Sequence, residues 1–264
     1  MAHYPALKEN VVLLTGASRG IGEQLAYQLA TQGAWLALAT RHSEQLEAVA
    51  AACRALGGRA IAIPTDLTDE KQCQQLIERT IEEYGKIDTL LNNAGMGYPR
   101  HFAALPDLQT VREEITLNYL GTVYCTYYAL PYLKATRGRI VGINSFGGRV
   151  GIPATSGYNA SKFAMRGFLE TLRVELRGTG VTVSLAYLGA IRTERLKEAM
   201  GNKTAHVPTM DPKRCAELII RQISKRRRQQ VMTVAGKFLV WLNNWFPLLV
   251  ERILGNLPTF SAEN

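Results

Sequence analysis

The sequence predicts an α/β fold in which a parallel sheet is covered by helices on both faces. Short apolar runs rich in β-branched residues alternate with segments that carry apolar residues at helical spacing, and this alternation predicts such a sheet. A chain of 264 residues is long enough for one large domain of this class. Seven strands are predicted, at residues 11–15, 34–39, 59–63, 87–91, 139–144, 181–187 and 231–235.

The first predicted strand leads into a glycine-rich turn, Thr15 to Gly22, with the spacing G-x-x-x-G-x-G. Apolar residues then recur at helical spacing until Gly33. The order strand, glycine turn, helix is typical of a doubly wound, Rossmann-like sheet, where N–H groups at the helix start bind a phosphate. By themselves, the glycines are also consistent with a turn that needs only their backbone geometry.

Four residues lie at or just past the ends of predicted strands, namely Gly16, Asn92, Ser145 and Leu188. In a parallel sheet the carboxyl ends of the strands meet at one edge, and ligands bind where the strand order reverses. The sequence therefore predicts that these residues line a single cleft.

The end of the second predicted strand indicates which dinucleotide binds. An acidic residue there holds a ribose 2′-hydroxyl, whereas an arginine accommodates a 2′-phosphate. This chain has Thr40-Arg41-His42 at that point, without a carboxylate, and a second arginine, Arg19, in the glycine turn. Guanidinium groups match phosphate geometry well, so NADP(H) is predicted over NAD(H). The alternative is that Arg41 is a solvated loop charge.

A tyrosine and a lysine four residues apart, Tyr158 and Lys162, predict the chemistry. Side chains at this spacing lie on one face of a helix. An ammonium group stabilises a nearby phenolate, and a free tyrosine has a pKa of about 10. The pair is therefore a candidate general acid and base near neutral pH, although a tyrosine alone is more often a half-buried surface residue.

With these features in place, the chain resembles a short-chain dehydrogenase/reductase of the type with a single Rossmann-like domain. The matching segments cover most of the first 195 residues. Leu188 stands where the family most often has proline. A steroid-dehydrogenase-like branch of the family also has leucine at this position. The segments that carry the resemblance are Thr15–Gly22, Asp66-Leu67, Asn92 to Gly95, Asn118, Ser145, Tyr158 with Lys162, and Leu188 to Thr193.

The resemblance implies a role for each matching residue. Tyr158 would exchange the proton with the substrate, Ser145 would orient the substrate oxygen, and Lys162 would lower the pKa of Tyr158 and hold the nicotinamide ribose. Asn118 would hold a water that links the lysine to solvent. Asp66 would contact the adenine, and Thr193 the nicotinamide amide or the phosphates. The predicted cofactor contacts are Gly16, Ser18, Arg19, Gly20, Ile21, Gly22, Arg41, Asp66, Leu67, Asn93, Ala94, Gly95, Tyr158, Lys162, Ile191 and Thr193.

Composition excludes several other classes of function. The net charge is +9, and Lys225 to Arg228 form a basic run. No aromatic or base-reading residues are interleaved with it, so a nucleic-acid partner is not predicted. The four cysteines are scattered and the histidines match no metal motif, so we expect reduced thiols in a cytoplasmic protein and no metal. The first residues lack the apolar stretch of a signal peptide.

Two segments are expected to shape the substrate pocket. Residues 190–210 are predicted as a substrate loop, and residues 237–264 as a C-terminal helical extension within the same domain, 1–264. The extension is densely apolar but too short and broken for a membrane span. It could be a lid, a subunit contact or an amphipathic helix in a membrane interface, which its tryptophans and the basic run favour. Packing against its own domain or a partner subunit is the preferred interpretation.

The predicted function is an NADP(H)-dependent oxidoreductase that interconverts a carbonyl and a secondary alcohol. The apolar content of the two segments suggests a lipophilic substrate, steroid-like or a long-chain carbonyl. Family resemblance implies a homodimer or homotetramer with contacts on residues 111–135 and 156–177. A fold does not determine a function. The alternative is therefore a non-catalytic sensor or scaffold that binds NADP, either free or associated with a membrane.

Overall fold

The computed structural model describes residues 4, 7–200 and 208–256, without the side chains of 195, 199 and 200. Its centre is a seven-stranded sheet in the order β3-β2-β1-β4-β5-β6-β7. Every neighbouring pair of strands is parallel. The predicted doubly wound α/β fold is therefore confirmed. The strands are β1 (Val11–Thr15), β2 (Trp35–Thr40), β3 (Arg59–Pro64), β4 (Thr89–Asn92), β5 (Arg139–Ser145), β6 (Thr182–Leu188) and β7 (Gln229–Val231).

Helices connect the strands and pack on both faces of the sheet. Helices α1, α2 and α8 bury apolar side chains on one face, and α3, α5 and α6 do so on the other. The helices are α1 (Gly20–Ala30), α2 (Ser43–Ala55), α3 (Glu70–Tyr84), α4 (Gln109–Ile115), α5 (Gly121–Ala135), α6 (Ser156–Glu175), α7 (Glu194–Met200), α8 (Pro212–Ser224), α9 (Val234–Trp245) and α10 (Pro247–Gly255).

The strand order reverses between β1 and β4. Strands β2 and β3 lie on one side of β1, whereas β4 to β7 follow on the other. The connections after β1 and β4 therefore diverge and leave a crevice at the carboxyl edge of the sheet. The glycine turn follows β1 directly, so the topology places it at this crevice.

The last predicted strand is misplaced. The last strand is residues 229–231 rather than 231–235, because the Thr233 hydroxyl accepts a hydrogen bond from Gly236 N at 3.0 Å and caps α9. The predicted substrate loop, 190–210, contains the helix α7, while residues 201–207 lie outside the described residues. Its two ends meet in a bridge between Ile191 and Met210.

The predicted C-terminal extension, 237–264, is described only to residue 256, and residues 257–264 lie outside the described residues. Its described part lies in α9 and α10, where Val240, Val250 and Leu254 pack with Val150 of the domain. Their outer surface, the C-terminal apolar face, leaves large side chains exposed: Phe238, Trp241, Trp245, Phe246, Leu248 and Leu249. Within the described residues, no helix combines the length and apolarity needed to cross a bilayer.

The basic run does not lie beside this face. The Arg226 guanidinium donates to the carbonyl oxygens of Arg137 and Gly180 at 3.1 and 3.4 Å, and these residues precede β5 and β6 at the amino edge of the sheet. Helix α9 follows β7 at the carboxyl edge. The proximity of tryptophans and basic run in the sequence is therefore not a proximity in space.

Candidate active site

A cleft of about 980 Å³ lies at the carboxyl edge of the sheet, where the strand order reverses. The glycine turn forms one wall, the ends of β2, β3 and β4 form its floor, and α7 and the start of α8 form the opposite side. The predicted cofactor residues along it are Gly16, Ser18, Arg19, Gly20, Ile21, Gly22, Arg41, Asp66, Leu67, Asn93, Ala94, Gly95 and Thr193.

The glycine turn needs its glycines. Gly16 and Gly20 have φ of +67° and +61°, which side-chain-bearing residues rarely adopt. A Cβ on Gly16 would lie 2.8 Å from Ala94 Cα, and one on Gly22 would overlap the Gly16 carbonyl oxygen. The turn is thus folded tightly onto the start of α1, and its open side leaves space for a ligand backbone or phosphate.

Polar bonds between β1 and β4 hold this turn in place. The Thr15 hydroxyl accepts from the backbone N–H of Asn93 and of Ala94, both at 3.0 Å. The Asn93 amide donates to the carbonyl oxygens of Thr15 and Gly16 at 2.9 and 3.0 Å. Asn93 therefore lies along the cleft and also cross-links the two chain segments that form it.

The far end of the cleft carries two exposed arginines, Arg19 and Arg41. Arg19 Nη1 lies 3.6 Å from Glu198 Oε1 of α7. This ion pair is exposed to solvent and therefore contributes little to stability.

Asp66 lies just past the end of β3, where its Oδ1 accepts from Thr68 N and Oγ1 at 3.0 and 2.8 Å. This leaves the other carboxylate oxygen of Asp66 for a ligand.

The predicted catalytic residues meet beyond the β4 end of the cleft. Lys162 is buried, its Nζ donates to Ile143 O at 3.1 Å, and it lies 5.8 Å from the centroid of the Tyr158 ring. A Cβ on Gly95 would lie 3.2 Å from Lys162 Nζ, and one on Gly97 would lie 2.8 Å from Tyr158 Cδ2. The loop after β4 therefore has the cleft on one side and the Tyr158–Lys162 pair on the other.

Ser145 ends β5 beside this pair. Its hydroxyl oxygen accepts from Gly147 N at 3.1 Å, which leaves the hydroxyl hydrogen to donate elsewhere. A Cβ on Gly147 would lie 3.5 Å from Tyr158 Cε1, so the turn after Ser145 packs on the tyrosine ring. The preceding Asn144 donates to Lys162 O at 3.0 Å and ties β5 to α6.

Asn118 is fully buried in a π-helical turn, Thr116–Leu120, between α4 and α5. Its amide accepts from Met96 N and donates to Met96 O, both at 2.7 Å, and donates to Ser161 Oγ at 2.8 Å. Asn118 therefore connects the loop after β4 to α6. Single π-turns inside helices often mark functional sites.

Sequence reasoning missed a buried carboxylate, Glu114. Its Oε1 accepts from Tyr98 N at 2.7 Å, and its Oε2 lies against Gly157, next to Tyr158. A signal existed, because Glu114, Asn118 and Gly121 share one helix face by their spacing. Met96, Leu117 and Lys213, which also line the cleft, carry no such signal.

Another tyrosine, Tyr27, lines the cleft and has a different environment from Tyr158. Burial, together with a hydrogen bond of 2.9 Å to Glu23, raises the pKa of Tyr27 to about 12. Its phenol therefore stays protonated near neutral pH and is a poor proton shuttle. The cysteines are also unsuited to catalysis, since all four are buried and burial raises the pKa of Cys53 and Cys215 to about 12.

Three predicted cofactor residues do not line the cleft. Tyr158 and Lys162 lie behind the loop after β4, and Ile191 is buried in the core and forms a β-bridge with Met210. For Ile191 the physical reason is its apolar side chain, which packs with the end of β6. Any contact of Ile191 with a ligand in this cleft would have to come from its backbone.

Residues 10–204 match the family short chain dehydrogenase, and the chain belongs to this family. It is an oxidoreductase that acts on CH–OH groups. It is 36% identical over 257 residues to 11-beta-hydroxysteroid dehydrogenase-like 2 of Arabidopsis thaliana, an alignment that covers 96% of this chain and 82% of the relative.

Solved structures with the same fold include two NADP complexes. An alcohol dehydrogenase from Thermococcus sibiricus complexed with 5-hydroxy-NADP has a TM-score of 0.76 and 27% identity, covering 84% of this chain and 95% of its own. A short chain dehydrogenase from Burkholderia cenocepacia J2315, in complex with NADP, has a TM-score of 0.82 over 96% of this chain and 99% of its own. At 24% identity the second supports the fold alone.

Proposed function

We propose that the protein is an NADP(H)-dependent enzyme that interconverts a carbonyl and a secondary alcohol with Tyr158 as general acid and base. One observation carries the proposal. Tyr158 lies beside the buried ammonium of Lys162, directly behind the loop that closes one end of the dinucleotide-sized cleft. A proton donor and a hydride donor could therefore reach one substrate from neighbouring positions.

The glycine turn in the cleft is suited to bind the phosphate groups of a dinucleotide. Gly16 and Gly20 of the glycine turn line the cleft, and the turn leads into the N-terminus of α1. Backbone N–H groups and the helix dipole favour an anion there. Bound NADPH would supply the hydride.

Ser145, Tyr158 and Lys162 would carry the proton chemistry. The Ser145 hydroxyl would donate to the substrate oxygen, because its own oxygen already accepts from Gly147 N. The Tyr158 hydroxyl would deliver the proton to a carbonyl oxygen, or accept it from an alcohol. The ammonium of Lys162 would stabilise the phenolate left behind. Asn118 would position α6 through Ser161, and a water held near it would return the proton to solvent.

Replacing Arg41 with alanine should weaken NADPH binding about 10- to 100-fold and leave NADH binding unchanged. The expected loss equals one charge-assisted hydrogen bond, about 1.5–3 kcal/mol, to the 2′-phosphate. Fluorescence titration of both cofactors measures it. Arg252→Ala, an exposed arginine on α10 away from the cleft, is the matched control. Equal losses for both cofactors would remove Arg41 from 2′-phosphate recognition.

The substrate is proposed to be lipophilic. The support is the apolar extension beside the site and the similarity to relatives named 11-beta-hydroxysteroid dehydrogenase-like. Turnover of a panel of steroid, long-chain and small carbonyls with NADPH tests this. NADPH binding without turnover of any carbonyl or alcohol in the panel would favour the alternative, a cofactor-binding sensor or scaffold.

Assembly and location remain predictions. Exposed apolar side chains on α5 and α6, including Tyr127, Phe163 and Val174, support a contact between subunits on these helices. The C-terminal apolar face supports a lid, a subunit contact or a peripheral membrane contact. Deleting residues 237–264 and measuring both oligomeric state and binding to anionic liposomes separates these three.

A further inference from the structure

We infer that α9 positions the catalytic serine, through an aromatic ring held between two glycines. The ring belongs to Phe146, the residue after Ser145, and the glycines are Gly189 and Gly236. The inference rests on the proposed role of Ser145 and deepens it, because it assigns residues from the last helices of the domain to the active site.

The contact between Phe146 and the two glycines is close. A Cβ on Gly236, in the first turn of α9, would overlap the Phe146 ring at Cζ. A Cβ on Gly189, just past β6, would lie 3.1 Å from Phe146 Cε2. Only glycine at position 236 lets the backbone of α9 approach the ring this closely.

Further contacts join α9 to the same segment. The Asn243 amide donates to Arg149 O at 3.5 Å, and Val240 packs with the buried Val150. The segment 146–150 therefore contacts α9 at Phe146, Arg149 and Val150. Their other side lies against α6, where Gly147 contacts the ring of Tyr158 and the side chain of Asn159.

The packing of residues 146–150 between α9 and α6 determines where the Ser145 hydroxyl points. The hydroxyl oxygen is held by Gly147 N at 3.1 Å, so its direction follows the turn at Phe146–Gly148. If the ring of Phe146 shifts, the turn and the hydroxyl shift with it. A displacement of about 1 Å in a catalytic group can cost about 10²-fold in rate. Phe146 and Gly236 are thus positioning residues that act through Ser145.

The test is a set of variants. Each is assayed for its NADPH affinity and for its kcat and KM with a carbonyl of the panel that the native protein reduces. Gly236→Ala should lower kcat about 10- to 100-fold, with the NADPH affinity unchanged because the cleft is not touched. Phe146→Leu, which removes the ring without filling position 236, should also lower kcat. Combining the two should restore part of the kcat lost in Gly236→Ala, since leucine relieves the overlap. Gly255→Ala, in α10 with open space around it, is the matched control.

Repeating the Gly236→Ala change in a Ser145→Ala variant distinguishes an effect on the position of Ser145 from a general structural effect. In Ser145→Ala, the Gly236→Ala change should have little additional effect on kcat, because the group that it displaces is already absent. Equal losses in both backgrounds, native kcat in Phe146→Leu, or equal losses for Gly236→Ala and Gly255→Ala would each overturn the inference. An inactive native protein would instead contradict the proposed function, which keeps the two failures apart.

Discussion

Replacing Tyr158 with phenylalanine is expected to lower kcat about 10²- to 10⁴-fold, the range that general acid and base catalysis contributes. The change removes one hydroxyl group and keeps the ring that packs against Gly97 and Gly147. Steady-state rates with NADPH and an accepted carbonyl, together with NADPH titration, measure the effect. The affinity for NADPH should change little, because Tyr158 lies behind the loop rather than along the cleft.

A matched tyrosine controls for the loss of a hydroxyl elsewhere. Tyr127 on α5 is 69% exposed and lies outside the site, so Tyr127→Phe should keep the native kcat. If Tyr158→Phe turned over substrate at the native rate, the proton would have to come from another group, and the assignment of Tyr158 would be wrong. A loss confined to KM would instead place Tyr158 in substrate binding.

The second large effect is expected at the glycine turn. In Gly22→Ala the new methyl group would overlap the Gly16 carbonyl oxygen and approach the Asn93 amide to 2.8 Å, so the turn must open. Overpacking of this kind costs about 1–3 kcal/mol of stability. A shifted turn also loses N–H bonds to the phosphate, so NADPH affinity should fall at least about tenfold. Urea unfolding and NADPH titration measure the two effects.

A second glycine-to-alanine change serves as a control, because it is expected to raise stability rather than lower it. Gly167 lies within α6, where an added Cβ meets open space, so Gly167→Ala should gain up to about 1 kcal/mol from helix propensity. Its NADPH affinity should equal that of the native protein. An unchanged affinity in Gly22→Ala would contradict the role of this turn in phosphate binding.

The fold was predictable because its signals are local. Strand runs, helical spacing and the glycine turn each depend on residues within a few positions of one another, and the parallel arrangement then gathers the strand ends at one edge. The prediction was weakest at β7, where only one residue separates a strand of three residues from Thr233, the N-cap of α9. Hydropathy does not distinguish an apolar helix start from a strand end.

Part of the candidate site followed from the same local reasoning. Tyr158 and Lys162 are one helical turn apart, so their proximity needs no tertiary information. The two arginines of the cleft, Arg19 and Arg41, could be placed together because they follow neighbouring strands, β1 and β2. The shape of their surroundings, including the pair that Arg19 makes with Glu198, could not.

The sequence by itself therefore determined the architecture, the position of the cleft and the residues that could carry proton transfer, since each depends on spacing or on strand ends. Only the tertiary structure decided that Glu114 is buried against Gly157 and that α9 packs on Phe146. Residues 146 and 236 are far apart in the chain, and their contact depends on the angle at which α9 leaves β7. That angle is set by packing among many side chains, which no local pattern encodes.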